Sequence, residues 1–233
     1  GLVIGPGLVP GFEATIDYWD IAITDAITQH AYTTVLNLCV DLPSIDNSFC
    51  RAVERDPVDG RVTAVETSQI NASRMLARGV DVGARHEWPI GDGEIEFAFK
   101  GTLLLRHTVQ TTPGVRSGDV RYHGDWKHPR VRGSLVVRYR TGGFSAGLDT
   151  RFMGASRYDV NASSPETYDD NTVPPVIYND LYLAHDVGAR ATVLVGIRNL
   201  WDTRPPYMFE IYKDGAVYDT VGRYAYLSVS GRL

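Results

Sequence analysis

No stretch of this chain approaches the roughly 20 consecutive apolar residues that a membrane-crossing helix requires, and its first residues show neither the basic nor the apolar segment of a secretory signal peptide. A helical membrane protein is therefore not expected. A β-barrel stays open, because barrel strands alternate apolar with polar residues and leave only a weak hydropathy signal. The mean hydropathy of -0.17 suits such a barrel as well as a soluble protein. Clusters of lysine and arginine are missing too. With dispersed arginines, a net charge of -5 and a pI near 5.7, the chain has no basic face of the kind that binds nucleic acid.

The signatures of catalysis are equally scarce. There is no Gly-x-Ser-x-Gly elbow, no phosphate-binding glycine loop and no His-Glu-x-x-His, and the six histidines are scattered. No enzyme activity and no cofactor are expected. His123 and His128 share a segment with Trp126 that could touch a metal chelate, though a solvated loop explains them as well. Asp169-Asp170-Asn171 lacks the alternating ligands and glycine of an EF-hand and reads as an exposed turn. Asn71-Ala72-Ser73 and Asn161-Ala162-Ser163 match the glycosylation sequon and read as chance in a bacterial chain.

Cysteine occurs only twice, at Cys39 and Cys50. Two cysteines this close suggest one disulfide in an oxidising compartment. A metal pair is the competing reading; it is weakened because zinc sites want four closely spaced ligands.

What the chain does have is period-two alternation, clearest at its end. From Gly222 onward, Ala225, Leu227, Val229, Gly231 and Leu233 fall on one side, and Tyr224, Tyr226, Ser228, Ser230 and Arg232 on the other. A strand with no polar tail needs a neighbour to pair its edge, and closure into a barrel supplies one. Upstream the pattern recurs. Leu2-Val3-Ile4 reads as a strand tail, and Phe12 to about Thr24 as a strand whose phase breaks near Trp19-Asp20, through a bulge or through emergence from an apolar band. A connection of about 50 residues, Asp25 to Met75, is long enough to be functional or to carry its own small structure.

Shorter intervals follow. A strand from about Arg78 turns at Gly91-Asp92-Gly93 into the cleanest alternation of all: Ile95, Phe97, Phe99, Leu103 and Leu105 against Glu94, Glu96, Lys100, Thr102 and Arg106. Arg130 to Arg140 turns at Thr141-Gly142-Gly143 into Phe144 to Phe152, and Ile177 to His185 turns at Asp186-Val187-Gly188 into Ala189 to Ile197. Turns of a few residues thus alternate with connections of about twenty or more, as in outer-membrane barrels with short periplasmic turns and long extracellular loops. The fold class expected is all-β, an antiparallel up-and-down transmembrane β-barrel, represented by roughly eight full strands and a strand tail.

Asn199-Leu200-Trp201-Asp202 and the run Gly222 to Leu233, with Asp17-Tyr18-Trp19-Asp20-Ile21 near the start, resemble a TonB-dependent outer-membrane receptor. The resemblance implies that the whole chain, 1–233, is the C-terminal portion of a plugged barrel of the 22-stranded class, with plug and earlier strands lying upstream. It implies a final strand whose Tyr224, Tyr226, Leu227, Val229 and Leu233 signal to the barrel-insertion machinery. Leu233 stands where the family usually has Phe, and Gly231 where a large side chain is usual. It further implies active uptake, in the outer membrane of a Gram-negative bacterium, of a scarce solute such as a ferric siderophore, cobalamin or an oligosaccharide, powered through the TonB complex.

On that reading the apolar parity meets outer-membrane lipid, and the charged parity, including Glu94, Glu96, Lys100, Arg106, Arg132, Arg138, Asp149 and Arg151, meets a wet interior. Tyr18, Trp88, Tyr139 and Trp201 lie near strand ends, where aromatic girdles belong. The small solute ligand would meet the segments Cys39 to Cys50, Thr111 to His128, Tyr158 to Thr172 and Tyr207 to Tyr218, long loops on a rigid wall. No single ligand-contacting residue emerges. A plug-free porin-like barrel and a soluble β-sandwich binding module share the alternation, and both stay open at this point.

Overall fold

The computed structural model describes residues 1–5, 7, 9–110, 119–162, 168–188, 190–207 and 217–231. The chain forms two compact units, one of residues 1–20, 78–106 and 122–233 and the other of residues 21–77 and 107–121.

The first unit is built on one antiparallel sheet. Its strands are β1 (Leu2–Ile4), β2 (Phe12–Gln29), β5 (Gln69–Ile90), β6 (Gly93–Gln110), β8 (Val131–Thr141), β9 (Phe144–Met153), β12 (Val176–Val187), β13 (Ala191–Arg198) and β14 (Tyr224–Gly231), paired in that order. Each strand pairs with its predecessor along this path, the up-and-down meander that the alternation predicts. The partly barrel-like all-β fold is thus as expected, and strand lengths exceed expectation. β2, β5 and β6 run for 18, 22 and 18 residues, about three times the usual strand. Two tight turns explain part of the register. Gly91 and Gly142 each open a two-residue hairpin loop with a positive φ, 59° and 52°, the position where a type II′ turn demands glycine. β2 continues five residues past the expected end, and Asp25 within it is held at φ 55°.

The two faces of the sheet differ in kind. On the apolar parity Leu103 is 41% exposed, Val195 52% and Leu227 68%. This face is large, apolar and not packed against a second layer. On the charged parity the side chains are ionic or aromatic. One lateral row, read across paired residues, runs Glu96, Arg138, Gly147, Tyr182, Gly196, Tyr226. The buried core of the unit sits at the loop end of the strands, where Val173, Val176, Tyr178 and Tyr218 pack with Trp126, Met153, Tyr158 and Val217.

The second unit contains residues 21–29 of β2, 69–77 of β5 and 107–110 of β6, with β7 (Asp119–Arg121) paired to β6. The long connection carries its own structure: α1 (Tyr32–Asp41), α2 (Ser48–Arg51) and a hairpin of β3 (Val53–Arg55) and β4 (Val62–Val65). These short helices are the departure from a purely β chain. α1 turns Val35, Leu38 and Cys39 inward, the i, i+3, i+4 stripe of an amphipathic helix. Cys39 and Cys50 are joined by a disulfide. Beside it Asn47 caps α2, its Oδ1 accepting from the backbone N–H groups of Phe49 and Cys50 at 2.9 Å, while its Nδ2 donates to the carbonyl of Cys39 at 3.1 Å. Gln29 Nε2 donates to the Thr67 carbonyl at 2.6 Å, tying the two ends of the connection together.

In the first unit, β10 (Ser156–Arg157) and β11 (Thr172–Val173) pair within the connection that follows β9.

Candidate functional site

The charged face is the part of the sheet on which chemistry is concentrated. Its densest point is Glu96. Although it lies on an open sheet face, Glu96 is only 5% exposed, because arginine side chains from the flanking strands lie over it. Its carboxylate takes the guanidinium of Arg85 at 3.1 Å, Arg140 at 3.2 Å and Arg138 at 3.8 Å. Arg140 also reaches Glu94 at 3.3 Å. Farther along, Asp180 faces Arg198 at 3.3 Å and Arg151 at 4.0 Å, and its other oxygen accepts from the backbone N–H of Asn199 at 2.8 Å. Arg78 pairs with Asp20 at 2.6 Å. Asp149 stands directly opposite Asp180, and its Oδ1 is buried without a hydrogen-bond partner among the described residues.

Lys100 and Arg132 make no ion pair with a described residue, and both line a hollow of about 590 Å³ together with Arg151, Thr102, Ser134 and Asp81. Among the described residues no group of three or more His, Cys, Asp or Glu could hold a metal ion. No helix among them is long and apolar enough to cross a membrane.

At the loop end, the motif Asn199-Leu200-Trp201-Asp202 is a hydrogen-bonded clasp. Asn199 is fully buried with φ 49°; its Oδ1 accepts from the Thr203 N–H at 2.8 Å and its Nδ2 donates to the Thr203 carbonyl at 2.9 Å. Asp202, at φ 52°, accepts from the Arg223 N–H at 3.0 Å and so fastens the entry of β14. Trp201 projects from this clasp, 70% exposed. A polar side chain able to adopt the left-handed conformation is what each of these two positions needs.

The segments 122–130, 154–162, 168–175 and 217–223, which look merely polar in sequence, converge on the buried cluster. Tyr218 is 2% exposed, and its hydroxyl donates to the Trp126 carbonyl. Burial pushes its pKa up. The Tyr178 hydroxyl accepts from the Asp219 N–H at 3.2 Å. Asn171 clasps Asp159 through both backbone groups, at 2.8 Å to its N–H and 2.7 Å to its carbonyl. The useful signal was Trp126, Tyr158 and Tyr218, aromatics too numerous for solvated loops. His128 is held by Asp125, Nδ1 to Oδ1 at 3.0 Å, and stacks edge-on against Tyr122. Asp170 caps the Thr172 N–H at 2.7 Å, in keeping with an exposed turn.

In the second unit His30 is 7% exposed, and its Nε2 is buried without a hydrogen-bond partner among the described residues. It packs edge-on against Phe49 beside a cavity of about 250 Å³ that Arg51 and Glu66 also line. Burial lowers its pKa.

The other expected site residues fall as follows. Tyr224, Tyr226, Leu227 and Val229 lie on β14, at one end of the strand path, and Leu233 lies outside the described residues. Residues 111–118, 163–167 and 208–216, in three of the four expected recognition loops, also lie outside them.

A family profile described as TonB dependent receptor-like, beta-barrel matches residues 2–200. No curated protein matches the chain. Among solved structures, the FrpB iron transporter from Neisseria meningitidis matches with a TM-score of 0.58 at 13% identity, over 98% of this chain and 29% of its own. The ferric enterobactin receptor from Pseudomonas aeruginosa, in a mutant form bound to enterobactin, matches with a TM-score of 0.60 at 16% identity, over 95% of this chain and 29% of its own. The chain thus spans under a third of the length of these structures, and at such identities the likeness is one of fold. With the profile covering most of its length, the chain belongs to the TonB-dependent receptor-like β-barrel family.

Proposed function

We propose that the chain supplies barrel wall and outer loops to an outer-membrane receptor for TonB-dependent uptake of a scarce solute. The observation that carries this reading is the exposed apolar face. Leucine, valine and phenylalanine alternate outward along strands of 8 to 22 residues and meet no second layer. Water would not tolerate so large an apolar surface, whereas a bilayer is its natural solvent. The opposite, ionic face then lines the lumen, and the short turns lie on the periplasmic side.

The solute classes are a ferric siderophore, cobalamin or an oligosaccharide. The ferric chelate is the first to screen, since the similar structures are an iron transporter and a ferric enterobactin receptor. Plug, remaining strands and the TonB-contacting segment belong to the rest of the receptor, of which residues 1–233 form the C-terminal barrel portion. In this reading Tyr224, Tyr226, Leu227 and Val229 of β14, and Leu233 beyond it in sequence, signal to the insertion machinery. The role is that of a receptor and not of an enzyme.

Expression of the complete gene followed by membrane fractionation tests the proposal. The expected product resides in the outer membrane of a Gram-negative host and leaves it only in detergent. A soluble monomer would mean that the apolar parity packs in a sandwich core, and would overturn the reading.

A further inference from the structure

On the apolar face two glycines stand directly opposite each other, Gly101 of β6 and Gly133 of β8. Neither has a positive φ, so the backbone does not demand glycine at either position. At Gly147 and Gly196 a tyrosine ring from the next strand takes the vacated space. Here the Phe99 ring reaches over Gly101 from its own strand, and a Cβ at residue 133 would first meet the Lys100 carbonyl oxygen, at 3.0 Å. The pair floors an open groove of about 360 Å³, its rim raised by Phe99, Leu103, Leu135 and Phe152. Thr150 also lines it, but its hydroxyl donates to Asn179 Oδ1 at 2.8 Å. The groove offers shape and no free polar handle on its own face.

Its place in the wall says what fills it. The apolar parity of β6 runs from Ile95 to Leu105, about 34 Å along the strand and about 26 Å across a membrane at a tilt of about 40°, the height of the apolar band of an outer-membrane barrel. Gly101 lies inside that span. The glycine floor is two strands wide, about 5 Å from one Cα to the other. That is half the diameter of an α-helix with its side chains, and it suits a single hydrocarbon chain. A recess left empty forfeits dispersion contacts along its lining, and within the band hydrocarbon is the material at hand.

We propose that this groove seats one acyl chain of an outer-membrane lipid, retained longer than the chains that pass over the rest of the apolar face. The inference rests on the apolar parity being the lipid-facing side of the barrel wall. Selection is by fit. Gly101 and Gly133 let the chain approach the backbone while Phe99 and Phe152 flank it, so more of its surface meets protein than over a patch without a recess. Val195 of β13 and Leu227 of β14, paired and exposed on the same face, form such a patch.

The test uses the complete receptor, reconstituted into phosphatidylcholine vesicles that contain a small fraction of a phosphatidylcholine with a diazirine on one acyl chain. After illumination, labelled residues are located by mass spectrometry. Labelling at Phe99, Leu103, Leu135 and Phe152 is expected to exceed that at Val195 and Leu227 by about threefold or more. Gly133→Leu, which fills the floor, should bring the groove down to the level of the patch. Leu103→Trp, which narrows the rim without touching a glycine, should do the same and keeps the test valid where Gly133→Leu does not fold. Equal labelling of groove and patch in the parent, or an excess that survives in the folded variants, overturns the groove while the receptor reading stands. Labelling weaker than at the patch, the sign of a second receptor copy seated there, overturns it as well. Labelling of the charged parity instead, at Glu94 and Arg140, would mean that the lipid-facing assignment itself is wrong, and the groove falls with it.

Discussion

Tyr226 on β14 lies directly opposite Gly196 on β13, and its ring occupies the space that a Cβ at residue 196 would need. The same relation holds one pair of strands earlier, where the ring of Tyr182 covers Gly147. A glycine in a strand interior is costly, and here each one is offset by an aromatic ring laid on the neighbouring backbone. Gly196→Ala should displace the Tyr226 ring and cost about 1–3 kcal/mol, the range for overpacking. A double-mutant cycle with Tyr226→Ala, read by urea unfolding of the receptor in detergent, should show strong coupling. Additive effects would mean that the ring moves aside freely.

Loss of the Asn199 side chain should loosen the entry into the last strand. Asn199→Ala removes the bonds to both backbone groups of Thr203 and asks alanine to hold φ 49°. A cost of about 2–3 kcal/mol is expected for a fully buried group of this kind. The readout is limited proteolysis, with new cleavage between Thr203 and Arg223 in the variant and none in the parent.

Glu96→Gln keeps the shape and removes the charge. Arg85, Arg138 and Arg140 would then face each other without their shared acceptor. Because the three guanidinium groups are about half exposed and screened, the expected loss is about 1–2 kcal/mol rather than that of a fully buried pair. Raising the salt concentration should narrow the difference between parent and variant, and a difference that grows with salt would contradict this account.

His30 makes the second unit sensitive to acid. Burial holds its pKa below the usual value of 6.5, so the unfolded unit binds a proton more readily than the folded one. Stability is therefore complete above pH 6.5 and declines as the pH falls from there through the folded value. Amide exchange of the α1 and α2 segments should accelerate between pH 7 and pH 5 beyond the intrinsic chemistry, and His30→Phe should abolish the excess.

Reduction of the Cys39–Cys50 bridge acts on the same unit. With the cysteines separated by 11 positions in sequence, the loop-entropy account gives about 3 kcal/mol. Adding a reductant should release protease-sensitive sites between Gln29 and Thr67 without removing the receptor from the membrane. A variant with both cysteines replaced by serine should behave as the reduced protein does.

Much of the architecture was legible beforehand because a strand in a two-faced sheet writes its orientation into every second residue. Ile95, Phe97 and Phe99 against Glu94, Glu96 and Lys100 specify a strand with one apolar face, and Gly91 and Gly142 mark the turns that join neighbours. The strand ends were less legible. β5 begins at Gln69 rather than near Arg78, because Met75, Leu76 and Ala77 interrupt the alternation of apolar and polar residues just before Arg78. The buried loop cluster was missed for a related reason: Trp126, Tyr158 and Tyr218 stand in segments without periodicity, and only the folded backbone brings them together.

The sequence by itself determined most of the strands, their faces and the meander that joins them, because these follow from local alternation and short turns, and the motif at Asn199–Asp202 with the last strand carried the resemblance to the family. The tertiary structure alone decided which charges meet. That Glu96 is covered by three arginines and that Gly196 receives Tyr226 both depend on strand register. Register is a non-local quantity: shifting one strand by a single residue would exchange its faces and change every cross-strand neighbour.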